Sequence, residues 1–162
     1  MSRRACLFTL FLGIGFGLFS QSALAQSPPS GDSEKLGEIS ADQLRTLFRG
    51  KPTEKECKKY CRMLGEYLIS QAHPTGTNPT VTSSSSRFDA QSKSVTWTMS
   101  VNYGGALTNK KYYGTIYIVV DVSDPKDAEV EKIEFSEGDN FIKPNNANLG
   151  DARKLINKLL GK

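Results

Sequence analysis

Residues 112–122, Tyr-Tyr-Gly-Thr-Ile-Tyr-Ile-Val-Val-Asp-Val, place apolar side chains at Ile116, Ile118, Val120 and Val122. Tyr117 and Val119 add hydrophobic bulk at the alternate positions. Side chains of a strand alternate between faces, so a stretch apolar on both sides asks for cover on both, or for an inner place in a sheet. Its density of β-branched and aromatic residues also favours the extended backbone. The expectation is the inner strand of a small antiparallel sheet, with helices supplying the cover.

Upstream, residues 94–103 alternate cleanly. Val95, Trp97, Met99, Val101 and Tyr103 share one face, and Thr96, Thr98, Ser100 and Asn102 the other, which is the pattern of a half-buried strand. Residues 104–111 join this strand to 112–122 as a hairpin loop. Residues 73–86 begin as loop, with a polar edge strand expected around Val81 and reaching Phe88. Residues 89–93 read as a polar turn. Downstream, Asp124-Pro125 turns the chain before a shorter, charged strand at 130–135.

Helices flank this run. Ser40 and Gln43 have capping-box spacing, with Ile39 set to staple onto Leu44. The stripe Ala41, Leu44, Leu47 and Phe48 follows, and Gly50 ends it. Thr53 and Glu56 form a second capping box that opens a longer helix to about Ala72, giving a helical hairpin. Asn148 is the expected cap of a last helix with the stripe Leu149, Ala152, Leu155, Ile156, Leu159 and Leu160. Connections between the strands are too short for helical crossovers. The fold class is therefore α+β: an N-terminal helical hairpin, an antiparallel meander of about four strands and a C-terminal helix, with the helices on one face.

The first 25 residues have the order of an export signal. Met1-Ser2-Arg3-Arg4 is basic, residues 5–19 are apolar, and Ala23-Leu24-Ala25 is a small-x-small cleavage site. Ser2-Arg3-Arg4-Ala5-Cys6-Leu7 resembles the twin-arginine signal with Cys6 in place of Phe, although adjacent arginines also occur in ordinary signals, so either export route fits. Cleavage after Ala25 leaves residues 26–33, Gln-Ser-Pro-Pro-Ser-Gly-Asp-Ser, as a flexible linker and residues 34–162 as a single domain. No sustained apolar run follows, so a soluble periplasmic or secreted protein without a transmembrane segment is expected.

Removal of Arg3 and Arg4 lowers the formal charge from +4 to +2, a balance that argues against a nucleic-acid binder. The charge is uneven along the chain. Residues 45–62 hold seven Lys or Arg against Glu54 and Glu56, and residues 121–139 hold eight Asp or Glu against Lys126 and Lys132. Two solvated faces of opposite sign are the simplest account, and an oriented partner contact is the alternative.

Cys57-Lys58-Lys59-Tyr60-Cys61 is the sharpest chemical feature. Lys55, Lys58, Lys59, Arg62 and the positive end of the helix all act to lower a thiol pKa. Three readings follow: buried thiols on the stripe Cys57, Tyr60, Cys61, Leu64 and Leu68; an export-compartment disulfide; or a soft-metal pair for copper or zinc, with His73 or Met63 completing it. Export favours the disulfide, but residues four apart on a regular helix hold their Cβ atoms about 5–6 Å from each other. A disulfide needs about 3.5–4.5 Å. The expectation is a Cys57–Cys61 disulfide with a distorted helix start.

His73 is the sole histidine, and no Ser-His-Asp arrangement includes it. Asp121, Asp124, Asp127 and Glu129 lack the spacing of an EF-hand. Gly104-Gly105 lacks the strand-turn-helix setting of a phosphate loop. The functional expectation is an exported, soluble, non-enzymatic binding or accessory module without a cofactor. It would contact a protein or envelope component through Lys55, Lys58, Lys59 and Arg62, with the 104–111 loop as a second contact candidate. The alternative is a copper- or zinc-binding or redox protein built on Cys57, Cys61 and His73. Intact mass of the exported protein tests the processing: the expected species begins at Gln26, and a soluble species that retains Met1–Ala25 contradicts it.

Overall fold

A computed structural model describes residues 35–105, 107, 110–124, 126–137 and 143–162. The expected signal and linker lie outside the described residues, as do Pro125 and part of the 104–111 connection. The element order is β1 (Lys35–Leu36), β2 (Ile39–Ser40), α1 (Ala41–Arg49), α2 (Glu54–Ala72), β3 (Thr77–Asp89), β4 (Ser94–Gly104), β5 (Lys111–Asp121), β6 (Glu129–Glu137) and α3 (Asn146–Leu160). The protein is α+β, with β3 to β6 forming a four-stranded antiparallel sheet in sequential order.

β5 is an inner strand, paired with β4 and β6. Ile116, Ile118 and Val120 are fully buried beneath the helices. Tyr117 and Val119 face the other way and are only half-buried. Neighbouring strands therefore supply part of the cover that the helices do not. On β4 the expected alternation holds, with Trp97, Met99, Val101 and Tyr103 buried.

Both capping boxes form. Ser40 Oγ accepts from the Gln43 N–H while the Gln43 side chain accepts from the Ser40 N–H, and Thr53 and Glu56 reciprocate in the same way. The start of α3 differs from expectation. Asn145 is its N-cap, accepting from the Asn148 N–H. Asn148 instead donates its side-chain amide to the Gln71 carbonyl, and the Asn145 N–H bonds the Ala72 carbonyl. The asparagines at the head of α3 thus satisfy carbonyls at the tail of α2.

β3 runs 13 residues, longer than the hydroxyl-rich sequence suggests. It is an edge strand, which is why Pro79 is tolerated. Its ladder shifts register twice, between Thr77 and Thr80 and between Val81 and Ser83. The two-residue ladder of β1 and β2 also escapes the sequence pattern. Gly37, at φ +60°, turns it, and it buries Leu36 and Ile39.

Two helix glycines differ in what surrounds them. A Cβ on Gly65 would lie 2.4 Å from Val81 Cγ2 and 3.2 Å from Met99 Sδ, so α2 meets β3 and β4 closely there. A Cβ on Gly150 would meet nothing within 4 Å. Gly150→Ala is expected to stabilise by about 0.5–1 kcal/mol through helix entropy. Gly65→Ala is expected to destabilise despite the same propensity gain, because overpacking a site costs about 1–3 kcal/mol. Denaturant unfolding of the two variants checks this, and equal stabilisation by both would contradict the close approach at Gly65.

Candidate functional site

Lys55, Lys58, Lys59 and Arg62 stand at i, i+3, i+4 and i+7, so they share one face of α2. All four line a single groove of about 570 Å³, whose opposite wall is Val81, Thr82, Ser83 and Ser84 of β3. The register shift between Val81 and Ser83 makes Thr82 the extra residue of the ladder, opposite this basic face. Gly65, one turn beyond Arg62, sets the distance between the two walls by letting α2 approach Val81.

The groove has one sign of charge along its helical wall. Lys58 pairs with Glu54, whose hydrogen bond and charge raise the lysine pKa and are matched by a lowered pKa on Glu54. Arg62 Nε lies 4.0 Å from Glu66, a long contact on an exposed surface. Among the described residues Lys55 and Lys59 have no ion pair. A second hollow, of about 580 Å³, lies between β6 and α3, where Glu131 and Glu134 offset Lys132 and Arg153. It has no net sign.

Two further residues of the basic run, Arg45 and Arg49, serve the fold, while Lys51 is exposed in the connection between α1 and α2. Arg45 Nη2 donates to the Leu159 carbonyl at 2.8 Å and Arg49 Nη2 to the Leu160 carbonyl at 2.6 Å, at the C-terminal end of α3. Part of the acidic run is likewise engaged: Asp127 meets Arg49 at 3.7 Å and Lys162 at 2.5 Å. The two charged segments expected to form separate faces therefore touch. What remains free of that contact is the groove.

The cysteines lie in the same stretch of α2. Cys57 is half-buried and Cys61 fully buried, and both are free thiols. This corrects the expected disulfide. α2 is helical from Glu54 onward, and the Cys57 N–H donates to the Thr53 carbonyl at 2.8 Å, so the first turn is not deformed to bring the sulfurs together. The expected lowering of thiol pKa is also reversed at Cys61. Burial, and then Cys57 beside it, push that thiol up to about 12, against an opposing hydrogen bond to Ser84.

The proposed third metal ligands are elsewhere. His73 is the C-cap of α2, about 18 Å along the helix axis from Cys61 at 1.5 Å per residue. It is buried, stacked on Tyr103 at 4.4 Å and edge-on to Phe135, and burial lowers its pKa. Met63 lines a different hollow with Gly37, Glu66 and Tyr67. Among the described residues no three His, Cys, Asp or Glu side chains converge as a metal cluster.

The spacing 55, 58, 59, 62 was a readable sign of a shared basic face, but its facing wall was not. Residues 82–86, Thr-Ser-Ser-Ser-Ser, fall in the expected polar edge strand, but nothing local places that strand opposite α2. No family model matches the chain, and no curated protein or solved structure matches it. Alkylation of the folded protein without reductant is expected to modify Cys57 and to spare Cys61 until the chain is unfolded. Protection of both until a reductant is added would instead restore the disulfide.

Proposed function

We propose that the chain is an exported, non-enzymatic binding or accessory module that holds an acidic partner in the groove between α2 and β3. The observation that carries this reading is the sorting of the basic run. Arg45 and Arg49 are engaged by the end of α3, while Lys55, Lys58, Lys59 and Arg62 gather along one wall of a groove. Export rests on the order of charges and apolar residues in 1–25. No helix among the described residues is long and apolar enough to cross a membrane.

Exposed ion pairs contribute about 0.2–1 kcal/mol each, so four cations give modest, salt-sensitive affinity and a faster encounter with an acidic surface. That scale suits a reversible contact. The copper, zinc or redox alternative has less support, because Cys61 is buried with a raised pKa and His73 is at the far end of α2.

The test is partner recovery from native envelope extracts at low salt. The variant Lys55→Glu/Lys58→Glu/Lys59→Glu/Arg62→Glu is compared with Lys126→Glu/Lys154→Glu, which changes charge elsewhere. The groove variant is expected to lose recovery by about tenfold or more, equal to 1.4 kcal/mol. Recovery equal to that of the unsubstituted chain would remove the groove from the account.

A further inference from the structure

The basic wall is a ladder rather than a cluster. Lys55, then Lys58 with Lys59, then Arg62 make three rungs separated by about one helical turn, or about 5.4 Å each. A compact anion engages one or two such rungs. An extended chain that carries a charge on successive units engages all three at once. The lysines and the arginine reach from an open surface, since the Lys58 and Arg62 side chains are 72% and 60% exposed.

The opposite wall narrows the class of chain. Thr82 and Ser83 present hydroxyls toward an exposed surface, Ser84 is engaged by Cys61, and Val81 adds an apolar contact. Thr82 Oγ1 donates to the Ser100 carbonyl at 3.1 Å, which leaves its oxygen able to accept. Such a wall complements the hydroxyls and C–H edges of sugars. An acidic peptide would also use the cations, and substitutions on β3 separate it from a sugar chain.

Two other anions fit less well. None of the residues lining the groove is aromatic, so the stacking platforms that hold single-stranded nucleic acid are missing from it. The first turn of α2 is also closed to a phosphate. Its capping box engages the Glu56 N–H, and Glu54 and Glu56 place carboxylates at that end.

We infer that the partner held in the groove is an anionic polysaccharide, with carboxylate or sulfate groups on successive sugars; this rests on the groove being the binding site. The cations of α2 meet the acidic groups in order, and the hydroxyls of β3 meet the sugar hydroxyls on the other side. Uronate and sulfated chains share this chemistry, and separate probes tell them apart.

The experiment is calorimetric titration of the mature chain with hexagalacturonate, a sulfated dextran oligosaccharide, neutral maltohexaose and hexaglutamate. Binding of at least one anionic oligosaccharide, and no binding of maltohexaose, is expected. Lys55→Gln/Lys59→Gln should weaken that binding by about tenfold. Thr82→Val/Ser83→Ala, checked for an unchanged melting temperature, should weaken the oligosaccharide several-fold and leave any hexaglutamate binding unaltered. Hexaglutamate binding as tight as the oligosaccharide, or no effect of the β3 variant, would overturn the polysaccharide while leaving the groove in place. The polysaccharide also falls if no probe binds yet charge reversal still abolishes partner recovery. Failure of the probes together with unchanged partner recovery would overturn both readings.

Discussion

The structure depends on how closely α2 lies against the sheet at Gly65. A side chain there would run into Val81 and press on Met99, so the absence of a Cβ is what lets the helix settle over β3 and β4. Leu64, Leu68 and Ile69 on the same helix are buried, as are Met99 and Val101 beneath it. Packing at core density makes such a contact sensitive to a single methyl group. One turn earlier the helix turns its basic residues toward the polar end of the edge strand, and the groove results from that arrangement. The groove is thus an outcome of core packing, not an addition to it.

Charge is distributed by the same logic. A helix leaves its last carbonyls unsatisfied, and α3 receives Arg45 and Arg49 from α1 there. Asp127 and Glu129 then gather Lys162 nearby. These contacts consume the portion of each charged segment nearest the end of α3. Among the described residues, the cations of α2 lie outside that network and pair, where they pair at all, with Glu54 and Glu66 on their own helix. Surface pairs of this kind are weak. The proposed anionic partner would displace them at little cost.

Much of the fold was legible because it follows from local rules. Alternation at 94–103 and 112–122 marked β4 and β5, and the Ser40–Gln43 and Thr53–Glu56 pairs marked two helix starts that form with reciprocal bonds. What was not legible depends on distant partners. The polar edge strand expected around Val81 and reaching Phe88 extends back to Thr77, across Asn78 and Pro79, only through its pairing with β4. Asn148 has the local sequence setting of a cap for its own helix, yet its amide donates to the Gln71 carbonyl of α2 once α3 packs there. The cysteines illustrate the same limit. The neighbouring lysines favour a lowered thiol pKa, whereas burial governs Cys61 and outweighs the opposing hydrogen bond from Ser84 on β3. For the site, the four basic residues were readable and their hydroxyl wall was not, since nothing local links residue 62 to residue 82.

Amide chemical-shift mapping of the isotopically labelled protein with hexagalacturonate tests the groove most directly. The account predicts saturable shifts confined to residues 55–62 and 81–84, reduced as salt is raised. Shifts centred on the hollow between β6 and α3, or spread evenly over the surface, would contradict it.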